Sequence, residues 1–318
     1  MSALPKPPES SKLPVWFDCD TGIDDTLALG QLVAQPDTHL VGISTVSGNT
    51  SAAQAAQNTL DLLALLGRDD VPVAVGAHDP LVGVYAGGAP HVHGGNGVGD
   101  VELPRATRTV ESANGVEALI GAARAHAGEL HLVAVGPLTN LALALREEPE
   151  LRTLVSHVTI MGGAVWALGN ITEHAEANIG NDAEAARIVL TAGWPITLVP
   201  LDVTMTHFLE VEAQAALAAR GGDFRTALAG MLDCYLGFHE TRYGKRVSAL
   251  HDPMATMLAT GTVKASTLQS VGIDVALEGE TRGRTVAVEP SPQHPAVAVV
   301  TAIEDPVADR LLEALLTL

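Results

Sequence analysis

The chain has 318 residues, 47% hydrophobic and 17% charged, and its 18 basic against 37 acidic side chains leave a formal net charge of −19. That length buries a large core, as one big α/β domain or two smaller ones, and the composition is too apolar for a disordered chain. So acidic a chain argues against a nucleic-acid polymer or an anionic membrane as partner, since both call for basic patches. Two cysteines do not make a disulfide framework, no apolar run reaches the ~18 residues of a membrane span, and no apolar leader opens the chain. The expectation is a cytoplasmic protein.

Residues 1 to about 12, rich in Pro, Ser and Lys, read as a loose tail, and 13–318 as a single domain. Val15–Phe17 reads as a strand, Asp25 to about Val33 as a helix and His39–Val46 as a second strand. Ala52–Leu66 has helical apolar spacing and stops at Gly67, and Val71–Val75 looks like another strand. A glycine-rich stretch from Gly83 to Gly99 breaks the pattern before strand and helix alternate again through LHLVAV, PLTNLALAL, HVTIMGG, DAEAARIVL and ITLVP. Such alternation predicts a Rossmann-like, mostly parallel sheet with helices on both faces. Two or three helices between 211 and 259 form late insertions. The strand-like runs VGIDVAL, RTVAVE and AVAVV follow, and a helix from Asp305 to about Leu316 closes the chain.

Four carboxylates fall within eight residues at the end of the first strand, in Asp18-Cys19-Asp20-Thr21-Gly22-Ile23-Asp24-Asp25. Asp18 and Asp20 share a strand face, and Gly22 permits a turn that returns Asp24 and Asp25 toward Asp20. One aspartate suffices as a helix cap, whereas four that converge repel unless a cation or proton offsets them. Oxygen donors without Cys or His select a hard cation, Ca²⁺ or Mg²⁺. Ligands of open α/β sheets sit at these strand ends.

Asp18-Cys19-Asp20 alone is similar to the opening of haloacid-dehalogenase-type Mg²⁺ phosphatases. The longer DxDxGxDD string resembles the N-terminal signature of the nucleoside hydrolase family. The remaining motifs favour the second. Val46-Ser47-Gly48-Asn49 resembles that family's V-x-G-N, and Gly136-Pro137-Leu138-Thr139-Asn140 its GPLTN turn. Met161-Gly162-Gly163, Gly169-Asn170 and Glu176-Ala177-Asn178 are similar to its MGG…GN…E-F-N segment. His251-Asp252-Pro253 matches the HDP motif of its inosine/uridine-preferring branch, so the resemblance runs over nearly the whole chain.

That resemblance implies hydrolysis of a ribonucleoside N-glycosidic bond to base and ribose, with a pyrimidine or broad inosine/uridine preference, by a homodimer or homotetramer. It assigns Ca²⁺ to Asp20, Asp25, Asp252 and the Val135 carbonyl, with Asp20 also activating water. It gives Asp24 a ribose hydroxyl, Asn49 and Asn178 the 2′/3′ side, Asn170 and Glu176 the 5′-hydroxyl, and Met161 the floor beneath the sugar. His251 would protonate the leaving base, and His93, His239 and Tyr243 would contact it. Asp18 would support the shell. Plainer roles compete: a turn residue for Asn49, a solvated charge for Glu176, and helix core for His239 and Tyr243. A calcium-dependent sugar or nucleoside binder without turnover would keep the ligands but need neither Asp20 as base nor His251 as acid. Ala177 stands where many relatives have Phe, which removes an aromatic wall that Trp166 could replace.

Overall fold

In a computed structural model of the chain, residues 12–112 and 114–318 are described. All of the expected tail except Lys12 lies outside the described residues. The strands are β1 (Leu13–Cys19), β2 (Thr38–Thr45), β3 (Val73–Val75), β4 (Leu130–Ala134), β5 (Val155–Met161), β6 (Ile196–Val199), β7 (Phe208–Glu210), β8 (Val247–Ala249), β9 (Thr267–Val275), β10 (Thr285–Val288) and β11 (Val297–Ala302). Nine form one sheet in the order β10-β9-β11-β6-β5-β4-β1-β2-β3. All its pairings are parallel except the two that β9 makes with β10 and β11.

The period-two alternation of strand side chains divides the interior into two cores. Val15, Phe17 and Cys19 of β1 face one, and Trp16 faces the other. The first is closed by helices Ile23–Ala34, Ala52–Leu65, Asp223–Tyr243, His251–Ala259 and Val307–Thr317. The second is closed by Gly115–Ala125, Thr139–Glu147 and Ala183–Leu190. The predicted two-faced α/β sheet is therefore what forms.

Strand order reverses at β1, since β2 and β3 lie on one side of it and β4, β5 and β6 on the other. Loops leaving β1 and β4 diverge there and open a crevice at the carboxyl ends of the strands. Two details differ from the sequence pattern. The three-residue strands β7 and β8 pair antiparallel in a small second sheet, too short for alternation to reveal them. Helix Gly115–Ala125 opens on a glycine that masks its start, although Asn114 caps it by accepting the Glu117 N–H at 3.1 Å. Among the described residues no helix is long and apolar enough to cross a membrane.

Candidate active site

Gly22 ends the extension of β1 and serves as N-cap of helix Ile23–Ala34. Asp25 lies in the first turn. Its carboxylate accepts the backbone N–H of Gly22 at 2.7 Å and of Asp20 at 3.1 Å, and the Asn49 side-chain amide at 3.1 Å. The capping role is thus real for Asp25, but it leaves the other acids unexplained. Asp20 accepts the Asn49 N–H at 2.6 Å through Oδ2, while its Oδ1 and that of Asp24 are buried with no hydrogen-bond partner. Asp24, Asp25 and Asp252 each offer an oxygen within 4.8 Å of the others. Asp18 accepts hydrogen bonds from the Ser44 hydroxyl and from the Asn140 amide at 2.8 Å.

Burial, reinforced by neighbouring carboxylates, pushes Asp20 and Asp252 far above the usual carboxylate range and Asp25 up to about 7. Asp18 also rises to about 7 by burial, against the lowering effect of its two hydrogen bonds. Among the described residues no lysine or arginine lines the adjoining cavity. Unpartnered buried carboxylate oxygens with no side-chain cation fit a bound divalent ion with hard-oxygen preference.

Of the fourteen residues given a catalytic, metal-binding or substrate role in the sequence, all but Asp20 and Asp25 line one cavity. Those two are not part of its lining, and oxygens of Asp24, Asp25 and Asp252 lie within 4.8 Å of one another. One side of the cavity lies over strand ends. Asn178 donates its amide to the carbonyls of Val135 at 2.8 Å and Met161 at 3.1 Å, which ties the ends of β4 and β5 together. Glu176 is 2% exposed, far from a solvated charge, and accepts the backbone N–H groups of Gly163, Asn178 and Ile179 at 2.8, 2.8 and 3.1 Å. Asn170 accepts the Ala177 N–H at 2.9 Å, so the departure from Phe opens directly onto the cavity. Ile171 lines it beside Ala177, whereas Trp166 is half exposed outside the lining and does not replace the missing ring.

The opposite wall comes from helix Asp223–Tyr243, with Tyr235, His239 and Tyr243 one turn apart on a single face. Sequence reasoning missed Tyr235 because a tyrosine on an amphipathic helix reads as core, although the repeated four-residue spacing was the available signal. Its hydroxyl donates to Asp24 at 3.2 Å, and its ring stacks on His93 at 5.5 Å between centroids. His93 accepts the Ile23 N–H on Nδ1 at 3.1 Å, so its neutral form carries the proton on Nε2. His251 follows β8 and begins its helix, with Nδ1 2.8 Å from the Thr204 hydroxyl. Burial lowers His251 to about 4, opposed in part by Asp24, so its imidazole is neutral near pH 7.

The profile of the family described as inosine-uridine preferring nucleoside hydrolase matches residues 15–309. The chain belongs to this family. It is a ribonucleoside hydrolase. Among relatives, uridine nucleosidase 1 of Arabidopsis thaliana is 37% identical over 75% of this chain and 71% of its own length. The pyrimidine-specific ribonucleoside hydrolase RihA of Citrobacter koseri is 38% identical over 76% of this hydrolase and 77% of its own length. A plant nucleoside hydrolase, PpNRh1, superposes with a TM-score of 0.91 at 30% identity, covering 95% of this hydrolase and 98% of that chain. A purine-preferring ribonucleoside hydrolase from Gardnerella vaginalis superposes at 0.90 and 30% identity over 96% and 98%.

Proposed function

We propose that this hydrolase cleaves the N-glycosidic bond of ribonucleosides with Ca²⁺ as cofactor, with a pyrimidine or broad inosine/uridine preference. The observation that carries this reading is the meeting, at one strand-end crevice, of the buried acids Asp24, Asp25 and Asp252 with His251. Asp20, through its unpartnered Oδ1, Asp25, Asp252 and the Val135 carbonyl would hold the ion, with Asp24 beside them placed to accept a ribose hydroxyl. Calcium, with room for six to eight oxygens, would supply positive charge that orients ribose hydroxyls and water.

Bond cleavage builds positive charge on the anomeric carbon, and the surrounding carboxylates stabilise it. Asp20 would be held ionised by the bound cation against the burial that raises it, and in that form acts as the base for the attacking water. Asn49 and Asn178 hold the 2′/3′ side, Asn170 and Glu176 the 5′-hydroxyl, and Met161 the sugar floor. His93, His239 and Tyr243, with Tyr235, face the base. His251 is neutral in the free protein; it takes up a proton from solvent, which the neighbouring Asp24 favours, gives that proton to the departing base as the glycosidic bond breaks, and returns to the neutral form. Uridine and RihA relatives support the pyrimidine side, and the wall of Tyr and His side chains supplies the polar contacts that a pyrimidine offers to meet.

Ribose release from uridine, cytidine, inosine and adenosine, with Ca²⁺ and after chelation, tests the reading. Chelator-sensitive release with uridine or inosine fastest is expected. Release unaffected by complete chelation would overturn the cation, and adenosine in first place would overturn the preference.

A further inference from the structure

The buried face of a parallel sheet is ordinarily a continuous apolar surface. Here it is interrupted by four polar side chains on three adjacent strands. His131 of β4 lies in register with His157 of β5, and Thr159 of β5 lies in register with Thr197 of β6. The hydrogen bonds run diagonally across this square. His131 Nε2 meets the Thr159 hydroxyl at 2.8 Å, and His157 Nε2 meets the Thr197 hydroxyl at 2.9 Å. All four residues line a groove between the sheet and the end of helix His251–Ala259, bordered by Leu258, Gly261 and Val263. His131 and Thr159 are buried, and His157 and Thr197 are half-buried.

We propose that His131 and His157 form a two-imidazole site for a divalent transition-metal ion of the Cu²⁺, Ni²⁺ or Zn²⁺ class, separate from the acidic cluster. Three observations point to it. Each ring has one nitrogen fixed by a threonine hydroxyl, the outer support that ligating histidines ordinarily have, while Nδ1 keeps no protein partner among the described residues. The ring centroids are 5.1 Å apart at 69°. Two imidazoles at 2.0–2.1 Å from one tetrahedral ion place their centroids about 5 Å apart, so the rings already stand at chelating separation.

The third observation is electrostatic. Helix His251–Ala259 ends at the groove, and the partial negative charge of its last carbonyls favours a cation there. Burial also keeps both rings in the unprotonated form that a metal requires. The one cationic side chain on the groove is Lys264, which is exposed and free to turn outward. Imidazole nitrogen selects borderline metals over Ca²⁺, so the two sites divide ions by donor chemistry. Two protein ligands leave the remaining positions to water, so the ion exchanges.

The test titrates Cu²⁺ into the full-length protein held in saturating Ca²⁺, following the electron paramagnetic resonance of the copper and its nitrogen couplings. One equivalent with coupling to two nitrogens is expected in the parent. His131→Gln and His157→Gln should each weaken that equivalent at least tenfold while nucleoside hydrolysis in Ca²⁺ persists. His157→Gln, at the half-buried position, decides alone if His131→Gln does not fold. A copper equivalent unchanged in His157→Gln overturns the site. So does its loss in His39→Gln instead, since His39 and His126 form a more exposed pair with centroids 6.1 Å apart.

Discussion

Burial of His131 against His157 ties the stability of the hydrolase to pH at a place remote from catalysis. Its imidazole is lowered from the ordinary 6.5 to about 3, first by burial and then by its neighbour. Below pH 6.5 the unfolded chain therefore takes up a proton that the folded chain refuses. The stability this supplies is complete above pH 6.5 and is lost progressively as pH falls toward 3. Each pH unit in that window costs about 1.4 kcal/mol, so moving from pH 7.5 to pH 5 removes about 2 kcal/mol through this residue. For 318 residues with an unfolding entropy of roughly 2.1 cal/mol/K each, 2 kcal/mol is about 3 °C in Tm.

His131→Gln keeps a donor for Thr159 but does not titrate. The assay is thermal unfolding of both proteins at pH 7.5 and pH 5, in calcium buffer free of transition metals. Fluorescence of the buried Trp16 and Trp194 reports the transition. The other titrating groups, His251 and the acids included, cancel in the comparison between proteins. The acid-induced fall in Tm should be about 3 °C smaller in the variant. Equal falls in the two proteins would refute the reasoning and place the His131 proton affinity near that of a solvated histidine.

Asp252→Ala should abolish turnover and weaken Ca²⁺ binding, and near-parental rates in a steady-state assay would remove it from the site. His251→Ala should slow uridine at least tenfold more than p-nitrophenyl riboside, whose leaving group needs no proton; equal losses would end its role as acid. Gly48→Ala should leave the fold intact and cut kcat by tenfold or more, because its Cβ would run into the Asp20 carboxylate and Pro137. Parental kcat in that variant would show that Asp20 needs no fixed place.

Much of this site was legible because its chemistry is local in sequence. Four carboxylates within eight residues after a strand cannot all be caps, and the glycine between them implies the turn that the structure contains. What the turn decides is less visible: it aims Asp24 rather than Asp20 into the cavity, and only three-dimensional placement distinguishes adjacent acids. The alternation of strands and helices exposed the doubly covered sheet, while β7 and β8 were too short to carry a pattern. The His131, His157, Thr159 and Thr197 square was illegible for another reason. It arises from register between β4, β5 and β6, which no spacing along one segment encodes.

The cavity divides its tasks between two kinds of scaffold. Asp24, Asp25 and Asp252 sit in the first turns of helices, and Glu176 caps the short helix Ala177–Asn181 that carries Asn178, both of them braced by backbone hydrogen bonds. The wall proposed to face the base instead lies along one face of helix Asp223–Tyr243, where a side chain can change without moving the sheet. Relatives similar over most of this chain are named for uridine, for pyrimidine and for purine ribonucleosides. His239→Ala should therefore reorder uridine, inosine and adenosine while altering p-nitrophenyl riboside cleavage by less than threefold. Its Nδ1 bond at 3.0 Å is to the Tyr235 carbonyl within the same helix, so its removal leaves the acids in place. Tyr235→Phe should behave differently, because it keeps the ring stacked on His93 but removes the hydroxyl that donates to Asp24, and it should slow every substrate together. Rates for the four nucleosides and the riboside, measured on both variants, separate the two effects. A uniform loss in His239→Ala would mean that the helix face and the acids act as one unit.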